Sequence, residues 1–335
     1  MRDTSIYIGR RLVNLLLVIW IAGSLNFLIP RLLPGDPVDR AFATMATKRG
    51  SSAADVEQLK AAWQETLGLD APLHVQYLNY WKGVLTLDLG VSVASYPIKV
   101  TSLIASALPW TLFLLGLSTF IAFTLGTLLG ALLAWPGAPR LVHAASPVFV
   151  VLSAMPYYLL AILLIAVFAG ALRLLPPAAA FSPSLIIGWN LKSAIDIGQH
   201  AILPSLSIIL GAVGFWALGS RALMVSVLGE DFITYAESKG LSQRRVFLRY
   251  GLRNALLPQV TALAIALGTV VSGAVLVEAI FAYPGLGGLL YNSIKTGDIF
   301  VINGIVTVLI LTLGISVFVI DLALPILDPR IRRHA

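Results

Sequence analysis

Residues 100–139 read VTSLIASALPWTLFLLGLSTFIAFTLGTLLGALLAWPGAP and contain no charged side chain. About 20 apolar residues, rising roughly 1.5 Å each, cross the hydrocarbon of a bilayer. The run is therefore long enough to span one, and it predicts a membrane helix from about Pro109 to Trp135.

Working outward, similar runs lie between Arg11 and Arg31, from Leu141 to Leu172, from Leu203 to Leu223, from Leu256 to Ala282 and from Val301 to Leu324. The first is long for the apolar part of a secretory signal and no small-x-small cleavage site follows it, so it reads as a retained helix. Residues 171–200 hold Pro176, Pro177 and Pro183 among small and polar residues and read as an ordered loop outside the membrane. The expected fold is an all-α membrane protein of six transmembrane helices. Its expected organisation is a first span within residues 1–30, an external segment at 31–107, and a core at 108–335 that includes a cytoplasmic loop at 225–255.

Composition leads to the same class. The chain is 58% hydrophobic and 12% charged, against roughly 45–50% and about 25% for soluble domains, so too few charges exist to cover a soluble surface. Cysteine is absent, which excludes disulfides, thiolate zinc sites and a cysteine nucleophile. The net charge of +7 does not point to nucleic acid, because the basic residues flank apolar runs and form no aromatic-interleaved patch.

Short loops report orientation. Arg2, Arg10 and Arg11 precede the first run; Lys239, Arg244, Arg245, Arg249 and Arg253 follow the fourth; Arg330, Arg332 and Arg333 form the tail. The opposite short loops hold Arg173, Lys192 and Lys295 only. Both termini are expected in the cytoplasm of a bacterial or archaeal cell, with the chain in its inner membrane. Leu-Pro recurs at Leu108-Pro109, Leu203-Pro204 and Leu257-Pro258, where proline at a first helical position would forfeit a donor that has no partner anyway. No internal repeat of the kind common in secondary transporters is evident.

Residues 229–258, GEDFITYAESKGLSQRRVFLRYGLRNALLP, read as two short helices. Glu230 and Asp231 suit the positive end of a helix dipole, Gly240 a left-handed stop, and Ser242 the cap of a second helix. Arg245, Arg249 and Arg253 form one stripe there, with Val246, Phe247 and Tyr250 on a neighbouring face. From these residues alone, a solvated topology anchor and a docking element for a partner are equally good readings.

The loop resembles the signature of ABC-importer permeases, carried here by Ala236, Glu237, Lys239, Gly240, Leu257 and Pro258. Nearly the whole chain is similar to the dipeptide and oligopeptide branch, the B-type subunit. The matching pieces are Tyr7-Ile8 with Arg10-Arg11; Leu33-Pro34-Gly35-Asp36-Pro37; Leu67-Gly68-Leu69-Asp70 with Pro72-Leu73 and Gln76-Tyr77; Asp88-Leu89-Gly90 with Ser92; Arg253 to Pro258; Pro284-Gly285-Leu286-Gly287; and Leu327-Asp328-Pro329-Arg330. Glu237 and the tail Arg332-Arg333-His334 depart from the pattern, and the phrases at 226–231 and 255–261 look closer to a branch that handles oligosaccharides.

The resemblance implies a type I importer permease that pairs with a second, different permease subunit, sits on two ATPase subunits and receives cargo from an external binding protein. ATP and magnesium would be bound by the partners, with no cofactor on this chain. In that family the first short helix lies in a groove on the ATPase, which makes Asp231, Tyr235, Ala236, Glu237, Lys239, Gly240, Leu241 and Ser242 the implied coupling set. Alternating access would follow nucleotide-driven movement of that helix.

Several residues carry two readings. Glu278, near the outer end of the fifth span, is a functional candidate as an intramembrane acid, with an interfacial role against the loop Tyr283 to Leu289 favoured. Ser153, Pro156, Tyr157 and Tyr158 could line a cargo path or mark a helix kink. Gly126 and Gly130 have the spacing of a close helix contact, which chance also supplies in a chain with 28 glycines. Asp321 suits pairing with a basic residue at the inner interface.

Enzyme chemistry lacks its parts. His74, His143, His200 and His334 share no ligand spacing, and neither a Gly-x-Ser-x-Gly elbow nor a G-x-x-x-x-G-K-[ST] phosphate loop occurs. The alternative transport class, an ion-coupled transporter working alone, would need a midplane acid, whereas Glu278 and Asp321 fall near opposite ends of their helices.

Overall fold

The computed structural model describes residues 2–32, 71–269 and 275–327. The motif residues 33–37, 67–70, 328–330 and 332–334 lie outside that set, as does the part of the expected external segment from 33 to 70. Among the described residues every regular element is a helix, apart from one antiparallel bridge between Val91 and Lys99. Four helices are long and apolar enough to cross a membrane: Ile6–Leu32, Val100–Ala134, Leu191–Leu228 and Ile299–Ala323. The pair Arg140–Ala154 and Tyr157–Ala171 makes a fifth if it counts as one span. The remaining expected span, the fifth in chain order, Leu256 to Ala282, runs through residues 270–274, which are outside the described set.

The described residues cluster into two units. The first draws on residues within Met1–Thr111 and Pro284–Phe318. Its long helices, α1 (Arg2–Leu32) and the first part of α11 (Ile299–Leu327), run antiparallel. Leu15 and Ile19 lie beside Gly314, while Asn26 Nδ2 donates to Asn303 O and Thr307 Oγ1, each at 3.1 Å. Helix α2 (Leu73–Thr86) places Tyr77, Tyr80, Trp81 and Val84 on one face at helical spacing. That face covers α1: Phe27 is buried with its ring 5.4 Å from Tyr77 and 5.5 Å from Tyr80, and Tyr77 OH meets Ser24 Oγ at 2.7 Å. The start of α11 is fixed by buried Asp298, which accepts from Ser92 Oγ at 2.5 Å, Ala94 N at 3.0 Å and Val301 N at 3.3 Å. Thr111 Oγ1 accepts from Leu286 N, at the head of α10 (Leu286–Thr296), at 2.7 Å.

The second unit draws on residues within Leu112–Val270, Leu276–Tyr283 and Val319–Ala335. Here α3 (Val100–Ala134) and α6 (Leu191–Leu228) run in the same sense and touch through Gly126 and Gly130. A Cβ on Gly126 would stand 2.8 Å from Val213 O, and one on Gly130 would stand 2.8 Å from Ser220 Cβ. Ser220 Oγ donates to Thr127 O across the contact at 2.7 Å. The G-x-x-x-G spacing is thus a true interhelical contact. Without a solvent-driven hydrophobic force inside lipid, such close backbone approach supplies the dispersion contacts that hold helices together.

The third expected span bends where Pro156 allowed a kink, and two other expectations are corrected. In that span α4 (Arg140–Ala154) and α5 (Tyr157–Ala171) meet at 102° around Met155 and Pro156. Proline lacks the donor that would continue the helix and pushes the preceding residue toward extended geometry, and Met155 is extended at ψ 122°. The loop expected over 171–200 stops at Asn190, whose side chain accepts from Ser193 N at 2.8 Å and caps α6 from Leu191. Pro109, Pro204 and Pro258 all lie inside helices rather than at first positions, and α3 begins at Val100. Apolar helices with packed neighbours tolerate the carbonyl each proline frees.

Candidate coupling surface and translocation path

Helix α7 (Asp231–Ser238) follows directly from α6, with Glu230 at its cap position and Asp231 in its first turn. Its sequence is amphipathic over two turns. Ile233 and Ala236 are buried at 3% and 2% exposure in a cluster with Trp135, Met224, Val246 and Leu252. Asp231, Phe232, Tyr235, Glu237 and Lys239 lie on the exposed side. Tyr235 is 63% exposed, and Lys239 Nζ lies 4.4 Å from its ring centroid.

The turn is built as its residues dictate. Gly240 has φ of 71°, in the left-handed region, and its N–H donates to Glu237 O at 2.8 Å. Leu241 then folds back onto the Ile233 cluster. Ser242 precedes the single turn Gln243–Arg245, but its side chain makes no capping bond; its carbonyl accepts from Arg245 N and Val246 N instead. The stretch Val246–Leu252 is a π-helix leading into α8 (Arg253–Thr269).

Arg245, Arg249 and Arg253 are all exposed, while Val246 is buried and Phe247 and Tyr250 pack against the cluster. The Trp135 and Phe247 rings meet edge-on at 5.0 Å. The hairpin is therefore clamped to the end of α3 and α6 by apolar burial worth roughly 1.5–3 kcal/mol for each large side chain. A force on the exposed face of α7 would reach those helices through packed side chains.

Sequence reasoning assigned Ala236 to this region but missed Ile233, which contributes more buried volume, and Gly251, whose missing side chain makes room for Met224. The signal for Ile233 was its three-residue spacing from Ala236. Nothing local marks Gly251, because its neighbour lies in another helix.

The three path candidates separate. Ser153 and Tyr157 flank the 102° bend and both abut α6: Gly214 backs onto Ser153, where a Cβ would lie 2.6 Å from its N, and Gly211 backs onto the Tyr157 ring. Ser153 is exposed and Oγ donates to Val150 O at 2.8 Å; Tyr157 is 47% exposed. Glu278, in α9 (Val275–Ile280), is fully buried, and its carbonyl accepts from Tyr283 N at 2.8 Å. Burial, and then the charge of Glu278, push the Tyr283 hydroxyl up to about 12.

The comparisons with known proteins give a family. Residues 122–333 match the binding-protein-dependent transport system inner membrane component. The dipeptide transport system permease protein DppB of Bacillus subtilis is 32% identical over 329 residues, covering 98% of each chain. The glutathione transport system permease protein GsiC of Escherichia coli O6:H1 is 33% identical over 331 residues, covering 97% of this chain and 98% of that one. Among solved structures, a chain of the MetNI methionine ABC transporter in an inward-facing conformation aligns with a TM-score of 0.54 at 18% identity, over 70% of this chain and 99% of that chain. That likeness supports the fold.

The ion-coupled alternative finds no support in these relatives. The protein is a multi-pass membrane protein whose energy comes from ATPase subunits rather than from its own active site. The chain belongs to the inner membrane components of binding-protein-dependent transport systems and is the permease subunit of an ABC importer.

Proposed function

We propose that this chain is one of two different permease subunits forming the pore of a peptide importer, with two ATPase subunits at the cytoplasmic face and an external binding protein delivering cargo. Small peptides are the cargo class, supported by relatives named for dipeptide and glutathione transport. The oligosaccharide branch has no comparable support. Both termini face the cytoplasm on the reading of the basic loops.

The observation that carries the coupling role is the division of α7: Ile233 and Ala236 bind it to the bundle, while Phe232, Tyr235 and Lys239 are presented outward. In this reading the exposed face, with Asp231 and Glu237, sits on the ATPase, and Gly240, Leu241 and Ser242 shape the turn that returns movement to α8. Ser153 and Tyr157, both exposed, border the cargo path, while Glu278 is buried and does not line it in this conformation.

Reconstituting the chain with its partners in proteoliposomes and measuring ATP hydrolysis and peptide uptake together tests this. Tyr235→Ala should leave the chain folded and lower binding-protein-stimulated hydrolysis. Unchanged stimulation and uptake would remove α7 from the coupling role.

A further inference from the structure

Charge is divided along the hairpin at 229–258. Its acids, Glu230, Asp231 and Glu237, all belong to α7 and its cap. After Glu237 no acidic residue occurs until Glu278, while the chain between them carries Lys239, Arg244, Arg245, Arg249 and Arg253. All four arginines are exposed. Arg245, Arg249 and Arg253 hold no side-chain hydrogen bond or ion pair among the described residues.

The same side of the helix continues into the membrane. Arg253 opens α8, and Leu257 and Val260 follow it at helical spacing, which sets the three on one face. Leu257 is 63% exposed and Val260 43%. Both lie in the apolar run that starts at Leu256, at the level of hydrocarbon, where a protein docked from the water phase does not reach. Arg253 stands just before that run, and four-residue steps of at most about 6 Å set Arg249 and then Arg245 farther out. The headgroup layer is roughly 5–8 Å deep on each side of a bilayer. Arg253 and Arg249 therefore fall within it, where a guanidinium can meet a phosphate through paired hydrogen bonds.

We propose that the face carrying Arg245, Arg249 and Arg253 binds an anionic phospholipid, with the phosphate on Arg249 and Arg253 and an acyl chain along Leu257 and Val260. Four or more basic residues immediately beside a membrane helix are enough to select anionic over neutral lipid, and this half of the hairpin has no acid to oppose them. A lipid seated there anchors the returning half of the hairpin to the bilayer and leaves the acidic, exposed side of α7 to another partner. The inference depends on the chain's place in the membrane, and on neither its cargo nor the role proposed for α7.

The test is native mass spectrometry of the full chain, released from detergent with dioleoyl-phosphatidylglycerol and dioleoyl-phosphatidylcholine added at equal concentration. The glycerol lipid should be retained in preference, and Arg249→Gln and Arg253→Gln should each lower the ratio about fivefold, the contribution of one basic side chain at a membrane surface. Both variants change exposed side chains, so their thermal unfolding midpoints in the choline lipid should match the wild type and a lower ratio reports the headgroup, not the fold. Arg140→Gln, which removes an exposed arginine at the start of α4, should leave the ratio unchanged. Equal retention of the two lipids by the wild type would overturn the assignment, as would an equal fall in Arg140→Gln, the mark of diffuse attraction. Displacement of the lipid by inorganic phosphate would assign the arginines to a free anion, and loss of the preference in the complex copurified with its ATPase chains would assign them to that protein; either overturns the lipid proposal.

Discussion

Gly130 lies so close to Ala217 that any side chain on the glycine would overlap the Ala217 carbonyl. Two helices from distant parts of the chain, α3 and α6, therefore share a contact that only hydrogen can fill.

Gly130→Leu should separate these helices and destabilise the second unit by at least the ~1–3 kcal/mol typical of overpacking. Gly116→Leu in the same helix, where nothing lies within 4 Å of the added Cβ, should be tolerated. Thermal unfolding of both variants in detergent checks this, and equal midpoints would count against the contact.

Ile233→Ala removes a side chain that is 3% exposed and should cost about 2–5 kcal/mol of local stability. The expected signature is faster hydrogen exchange in residues 231–245 with the long helices unaffected. Tyr235→Ala, at a position 63% exposed, should change stability by less than about 0.5 kcal/mol, so any effect on ATP hydrolysis would come from the partner surface.

Gly240→Val meets open space but must adopt φ of 71°. The left-handed conformation costs an ordinary residue about 1–2 kcal/mol, more when β-branched. Expected is a chain that still inserts and assembles but hydrolyses ATP with reduced uptake. Uptake per ATP equal to wild type would show that the turn is not needed for coupling.

Tyr283 supplies a pH dependence. Burial raises its pKa from 10.0 to about 12, so the native chain holds a proton that the unfolded chain has lost. The contribution is complete below pH 10.0 and fades as pH rises toward about 12, with a total on the order of 2 kcal/mol. Alkaline unfolding should be less steep over that window in Tyr283→Phe.

The membrane class and the hairpin at 229–258 were legible in the sequence, because uncharged runs and a glycine at a left-handed position are local requirements that lipid and the backbone impose on neighbouring residues; the family was legible only through the resemblance of its motifs. Gly240 and the packing of Val246 and Phe247 followed from spacing alone. The sharpness of the bend at Pro156, 102°, the burial of Asp298 under Ser92 and the fit of Met224 against Gly251 were not. Each depends on which distant segment arrives opposite. Even the spacing of Gly126 and Gly130 could not tell contact from coincidence until α6 lay against it, since dispersion and steric exclusion act only between surfaces that have met.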